Sequence, residues 1–219
     1  MSAFEYKEYS VLMSVYHKER PEYLKQAIES IQVQSLSTND FVLVCDGPLN
    51  DELDAVIQTK QLEMGENLNV VRLAKNGGLG NALNEGIKHC KNELVARMDS
   101  DDIAYPDRCE KQIAVFNTHS EVSICSGIVE EFTTNPNTVD TRRVPPETNA
   151  EIIEFAKKRN PFNHPCVMYK KSAVKAVGSY QDFYLLEDYY LWLRILMAGY
   201  QGYNIQEPLL HMRAGSDMY

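Results

Sequence analysis

Four short apolar, β-rich runs, each of the first three followed by a helical stripe, constrain this chain more than any other feature. Residues 9–16 (YSVLMSVY) precede Leu24, Ala27, Ile28 and Ile31, which repeat at the i, i+3, i+4, i+7 spacing of one helix face. Residues 41–45 (FVLVC) end at Asp46-Gly47-Pro48, and Leu53, Val56, Ile57 and Leu62 form the next stripe. Residues 69–73 and 79–90 repeat the unit, and residues 94–98 add a fourth run. Strands separated by helices pair parallel through crossovers, with helices covering both faces of the sheet. The expected fold is therefore α/β, with a mostly parallel, Rossmann-like sheet flanked by helices. In such sheets ligands collect beyond the carboxyl ends of the strands, where Tyr16, Asp46, Asn76 and Asp99 all fall.

The second half alternates less regularly. Pro106 is read as the first turn of a helix over 106–117, followed by a strand over 122–129. The Thr-, Asn- and Pro-rich stretch 133–146 reads as a loop or hairpin within one domain. Thr148 with Glu151 has the spacing of a capping box ahead of Ile152, Ile153 and Phe155. A short strand is expected over 166–169, and a helix over 189–197 with Leu193, Leu196 and Met197 on one side. An apolar segment, 209–212, closes the pattern.

With 219 residues, 44% of them hydrophobic, the chain is long enough to bury a full core. Twenty-two basic against thirty-one acidic residues give a net charge of -9 without any Lys/Arg stripe, which argues against nucleic acid as a partner. No apolar run approaches the roughly 20 residues of a spanning helix, and no secretory h-region is expected at the N-terminus. Cys45, Cys90, Cys109, Cys125 and Cys166 lack metal-ligand spacing and suit small core positions in a reducing cytoplasm.

The chemistry-bearing residues sit at the expected strand ends. Asp99-Ser100-Asp101 follows the fourth run directly. Two carboxylates at i and i+2 can hold a hard divalent cation against a diphosphate, or form a solvated acidic turn with Asp102 and Asp107. An EF-hand is excluded because Ile103 and Ala104 stand where a calcium loop needs an oxygen ligand and a glycine. Asn76-Gly77-Gly78-Leu79-Gly80-Asn81 either brings backbone N–H groups to a ligand at a helix start or simply builds that start. It is not a dinucleotide fingerprint, since it follows the third strand and lacks the third glycine. Glu187-Asp188 places two acids in the first turn of a helix, as dipole-favoured residues or as the base that deprotonates a hydroxyl. His164, in NPFNHP, is read as either a ligand contact or a satisfied structural histidine.

Taken in order, SVLMSVY with Glu19 and Leu24, Ser30-Ile31 and Gln34-Ser35, FVLVCDGP, NGGLGNALNEGI, ARMDSDDIAYPDR, NPFNHPCVMYKKSAV and LLEDYYLWLRIL resemble glycosyltransferase family 2. These are inverting nucleotide-sugar enzymes with the GT-A fold, and the resemblance runs nearly the whole chain. The flavour is that of the subgroup building bacterial exopolysaccharide and capsule, including amylovoran-type transferases. It implies one GT-A domain over 1–219, with a nucleotide-sugar part over about 1–120 and a smaller acceptor-side, catalytic part over about 121–219.

The resemblance further implies that Asp46 contacts the nucleotide base and that Tyr16, with neighbouring Val15 and Glu19, and Asn76, Gly77 and Gly80 line the nucleoside pocket. Met98, Asp99 and Ser100 would serve ribose and donor, and Asp101 with Asp99 would hold Mn²⁺ or Mg²⁺. It makes Asp188 the general base, with Glu187 beside it, and adds His164 and Arg213 to the nucleotide-sugar site, Arg213 to steady the diphosphate. Two departures stand out. Cys45 precedes Asp46 where many relatives have a second Asp, and Gly215 stands where some carry a metal-ligating His, leaving His211 a weak metal candidate. The implied partners are a nucleotide sugar, most simply a UDP-hexose, and a glycan or lipid-linked acceptor. The implied location is cytoplasmic, with peripheral membrane association through a tail outside this chain. The rivals are a metal-dependent phosphohydrolase with an Asp nucleophile in DSD, and a non-catalytic nucleotide-sugar or carbohydrate-binding module.

Overall fold

A computed structural model of the protein describes residues 5–183 and 185–214. Strands β1 (Ser10–Val15), β2 (Phe41–Cys45), β3 (Leu68–Arg72) and β4 (Leu94–Asp99) are parallel, in the order β3-β2-β1-β4. They are joined by α1 (Pro21–Gln32), α2 (Asp51–Met64) and α3 (Leu79–His89). The pleat sends alternate side chains of β1 and β2 to opposite faces, so both faces are apolar. Val11, Met13 and Leu43 pack with Leu24, Ile28 and Ile57, whereas Leu12, Val42 and Val44 pack with Leu83 and Ile87. Leu62 of α2 lies outside this packing and is exposed, because Leu53 and Ile57 already fill the contact with the sheet.

The remaining chain forms β5 (Ile103–Ala104), α4 (Arg108–Thr118), β6 (Val122–Phe132), β7 (Thr141–Arg143), α5 (Asn149–Ala156), β8 (Met168–Lys170), α6 (Lys171–Ala176), α7 (Glu187–Met197) and β9 (Gln201–Arg213). β8 enters antiparallel between β4 and β6, and β9 lies parallel to β6. The sheet thus continues as β8-β6-β9-β5, with β7 folding back on β6 as the hairpin that the 133–146 composition allows. The capping box at Thr148 and Glu151 is present in full.

Several expectations are corrected. Pro106 is in a turn before α4, because Ser35 N–H donates to the Pro106 carbonyl at 2.7 Å and Gln34 Nε2 to that of Tyr105 at 2.7 Å, which fastens the turn against the end of α1. Cys166 closes a 3-10 turn, and its carbonyl accepts from Gln112 Nε2 at 2.7 Å instead of joining a strand ladder. On α5, Ile152 is buried while Ile153 and Phe155 are exposed. On α7 the buried face is Leu191, Trp192 and Ile195, and Met197 is 85% exposed. Trp192 decides that orientation, since its large ring packs against Phe162, His164, Tyr169 and Tyr180. Among the described residues all five cysteines are buried and unpaired, and no helix is long and apolar enough to cross a membrane.

Candidate active site

At the end of β2 the chain is fastened to the glycine loop by the Asp46 carboxylate. Its oxygens accept from Gly77 N–H at 2.8 Å and Gly78 N–H at 3.0 Å, while Asn76 Nδ2 donates to the Asp46 carbonyl at 3.2 Å. Asp46 N–H in turn donates to the Val15 carbonyl at 2.8 Å. The approach requires glycine at 47, where φ is +88° and a Cβ would lie 2.6 Å from the Asn76 nitrogen. The tips of β1 and β2 and the N-terminus of α3 therefore form one rigid rim. Tyr16 is exposed on it, whereas the side chains of Val15 and Met98 lie in the core and offer a ligand their backbone only.

The DSD segment is anchored from both sides. Arg97, buried within β4, grips both Asp99 oxygens with its two terminal nitrogens. Ser100 Oγ donates to Glu19, whose carboxyl burial pushes above its ordinary value. Asp102 is fully buried and accepts Arg213 N–H at 2.9 Å, and Arg213 Nε reaches the Asp101 carbonyl at 3.1 Å. The Arg213 guanidinium is stacked between Tyr23, at 3.7 Å, and Phe132, at 4.7 Å, and Nη2 donates to Gln26. Gln34 and Ser30 hold the strand and turn beyond, Ser30 Oγ accepting Ala104 N–H at 3.1 Å. His211 is instead stacked on Tyr105 at 4.3 Å, and position 215 lies outside the described residues.

This scaffold leaves Asp101 without an ion-pair partner among the described residues. Burial, followed by the charges of Asp99 and Glu19, pushes its carboxyl up to about 7. An under-neutralised carboxylate of this kind suits a hard divalent cation. Among the described residues no three His, Cys, Asp or Glu side chains form a ready cage, so a cation there would keep open positions for water or phosphate oxygens. Asp99, with both oxygens on Arg97, is less available for it than Asp101.

Asp188 lies at the start of α7, beside a cavity of about 440 Å³. Its Oδ1 accepts Tyr189 N–H at 2.6 Å and its Oδ2 accepts Asn160 Nδ2 at 2.7 Å. Burial pushes this carboxyl up, against the lowering effect of those bonds and of Arg97. His164 is adjacent, with Nδ1 3.8 Å from Asp188 Oδ2 and Nε2 3.0 Å from the Tyr180 hydroxyl. Burial, and then the Arg97 charge, hold His164 well below its usual range, which keeps it neutral. Glu187 faces the other way, toward α3, where a Cβ at Gly80 would lie 3.7 Å from its Cβ. Asn84 bonds the Tyr180 backbone at 2.7 and 2.9 Å and so fixes that side of the site on α3.

Sequence reasoning missed Arg97, Tyr180 and Asn160. Arg97 carried a signal, a charge inside the apolar run LVARM, while Tyr180 and Asn160 are recognisable only by where the fold puts them.

Residues 10–178 match the sequence model of Glycosyl transferase family 2. The chain belongs to that family. It is 44% identical over 210 residues to the amylovoran biosynthesis glycosyltransferase AmsE of Erwinia amylovora, covering 96% of this chain and 77% of that protein. It is 39% identical over 206 residues to the UDP-Gal:alpha-D-GlcNAc-diphosphoundecaprenol beta-1,3-galactosyltransferase of Escherichia coli, covering 94% and 74%. In fold it is similar to S. aureus TarS 1-349 in complex with UDP-GlcNAc, with a TM-score of 0.69 at 20% identity, covering 97% of this chain and 61% of that one. The mannosyltransferase PcManGT from Pyrobaculum calidifontis, in complex with GDP-Man and Mn²⁺, gives a TM-score of 0.72 at 15% identity over 97% and 58%. The chain thus spans about three-fifths of the length of these solved structures. The fold is of the GT-A type, and the family is one of transferases. The phosphohydrolase and binding-module readings are set aside with it; Asp99, gripped at both oxygens by Arg97, is in any case no free nucleophile.

Proposed function

We propose that this chain is an inverting, metal-assisted hexosyltransferase that moves a sugar from a UDP-linked donor to a hydroxyl of a lipid-linked saccharide during bacterial surface-polysaccharide assembly. The observation that carries the reading is a pair of differently prepared acids, Asp101 near the charge of Arg213 and Asp188 near that of Arg97. Asp101 makes no ion pair among the described residues, and Asp188 is held at a cavity wall by Asn160 and Tyr189. The E. coli relative supports the UDP donor and the diphosphate-lipid acceptor, and the Erwinia relative supports the polysaccharide setting. Such an acceptor puts the work at the cytoplasmic face of the membrane, with the protein peripheral to it.

In this reading Tyr16, Glu19, Asp46 and the Asn76–Gly80 loop receive the nucleoside. The free N–H groups and positive end of α3 favour the diphosphate, with Ser100 and Arg213 on its other side. A divalent ion held by Asp101 would neutralise charge on the leaving diphosphate. Asp188 takes the proton of the acceptor hydroxyl, the oxygen attacks the anomeric carbon from the face opposite the diphosphate, and the bond to the diphosphate breaks with its electron pair. Neutral His164 leaves Asp188 free of a competing ion pair and is itself fixed by the Tyr180 hydroxyl. Glu187 orients the helix start or a substrate hydroxyl.

The test is a thermal-shift panel of UDP, GDP and their sugars with Mn²⁺, Mg²⁺ or chelator, followed by transfer assays with the stabilising donor. Saturation to 100 Kd stabilises the native state by about 2.7 kcal/mol. UDP compounds should stabilise, more so with metal. Stabilisation by no nucleotide, or equal UDP affinity with Mn²⁺ and chelator, would count against the reading.

A further inference from the structure

The cavity beside Asp188 carries a charge pattern that proton transfer alone does not require. Arg143, at the end of β7, and Arg159, in the turn after α5, both line it, and among the described lining residues Asp188 is the sole carboxylate. Asp188 neutralises neither arginine, since its oxygens are taken up by Asn160 and Tyr189. Arg143 is steadied by Glu131 through Nε and Nη2, and Asn163 Nδ2 donates to its carbonyl at 3.2 Å. Arg159 is exposed and makes no ion pair among the described residues. In a chain with nine more acidic than basic residues (31 − 22), leaving a cation unpaired at a cavity mouth calls for a ligand that pairs it.

We infer that this cavity takes the acceptor as a phosphorylated sugar, with the reacting hydroxyl on Asp188 and the phosphate or diphosphate at its far end on Arg143 and Arg159. The inference rests on the transferase reading above and adds the group by which the acceptor is chosen. A guanidinium matches phosphate with two parallel hydrogen bonds, and a pre-steadied one such as Arg143 loses less freedom on binding. The volume of about 440 Å³ suits a monosaccharide with its diphosphate and not a long glycan. Beyond the arginines the wall turns apolar at Val144, 58% exposed, and Phe155, which suits the first carbons of a lipid joined to that phosphate.

The experiment compares short-alkyl diphosphate sugars with the matching neutral alkyl glycosides as acceptors, without vesicles, and measures binding of both by calorimetry in the presence of UDP. The wild type should prefer the diphosphate acceptor in kcat/KM by at least about 10-fold, the scale of one charged hydrogen bond. Arg159→Gln and Arg143→Gln should collapse that preference toward one, chiefly through KM, and Arg159→Lys should retain part of it. The UDP-induced thermal shift is the folding control for each variant. Equal kcat/KM on the two acceptor types in the wild type, or Arg159→Gln binding the diphosphate acceptor as tightly as wild type, overturns the inference. A second arm repeats the comparison with anionic vesicles, and an effect of the arginines seen only there would make them a membrane contact and also overturn the inference. Absence of transfer to every acceptor would sink the transferase reading. The calorimetry decides this inference even then: Arg159-dependent binding supports it, and Arg159-independent binding refutes it.

Discussion

Replacing Asp188 by Asn tests the proposed base with little change of shape. In the native arrangement both carboxylate oxygens accept, one from Tyr189 N–H at 2.6 Å and one from Asn160 Nδ2 at 2.7 Å. An amide can accept at one of these positions but presents a second donor at the other. The Asn160 amide can turn to meet it, at the expense of its own weak bond from Phe162 N–H at 3.3 Å. The structural loss is therefore about one neutral hydrogen bond, roughly 0.5–1.5 kcal/mol. It is offset because the amide no longer buries the charge whose desolvation raises the Asp188 pKa. Net stability should change by less than about 1 kcal/mol. Turnover should fall by roughly 10² to 10⁴, or about 2.7–5.4 kcal/mol of barrier, the scale of a positioned general base.

Because the kinetic loss exceeds the structural loss several-fold, the two are separable. Transfer is followed by UDP release at saturating donor, with thermal unfolding and UDP-sugar binding measured on the same protein. The expected result is a collapse of kcat at nearly native donor affinity and midpoint. Glu187→Gln should retain far more activity, since Glu187 faces α3 and not the cavity. The reverse ranking would move the base to Glu187. Turnover within about tenfold of wild type in both variants would make the pair helix-start acids and require another base.

Asp101→Asn should abolish the metal assistance of UDP binding while stabilising the apo protein at pH 8, measured by chemical denaturation with and without Mn²⁺. A carboxyl raised from 3.8 to about 7 contributes stability that is full below its unfolded pKa and lost as pH rises through about 7, so the wild type, not the variant, should weaken across that window, by up to about 4 kcal/mol. Arg97→Met should destabilise by about 3 kcal/mol, the low end for a broken buried pair because Asp99 is 35% exposed, and should also weaken UDP-sugar binding; intact donor affinity would refute its role in holding Asp99. Gly47→Ala should cost at least about 1–2 kcal/mol from its left-handed backbone alone, and its clash with Asn76 should lower donor affinity, which isothermal titration would detect.

The parallel half of the fold was legible because each of its elements is locally consistent. Buried strands read as apolar runs, their helices as 3.6-period stripes, and the polar residue ending each strand is held where a parallel sheet puts its ligand. The second half resisted because its order is set by partners distant in sequence. Cys166 leaves the strand ladder since Gln112 claims its carbonyl, Pro106 stays out of α4 since Ser35 holds its carbonyl and Gln34 that of Tyr105, and α7 turns its Trp192 face inward although Leu193, Leu196 and Met197 make an equally apolar stripe. Each is a competition between two locally acceptable outcomes, decided by a contact that no window of the sequence contains.

The site follows the same division, with one exception that carries the most weight for mechanism. Asp46, Asp99, Asp101 and Asp188 are visible as carboxylates at strand or helix ends, but what separates their roles is the cation each has or lacks. Asp99 has Arg97, Asp46 has two backbone N–H groups, Asp188 has an amide and a backbone N–H, and Asp101 feels the charge of Arg213 but makes no ion pair among the described residues. Arg97 is an arginine in the middle of a buried parallel strand, a position where burial of a charge is tolerated only if it is paired. Its presence in LVARM therefore required a carboxylate within reach, and two residues on stood Asp99. That pairing, inferable before any fold was known, already implied that of the two DSD acids Asp101 would be the one left for a cation.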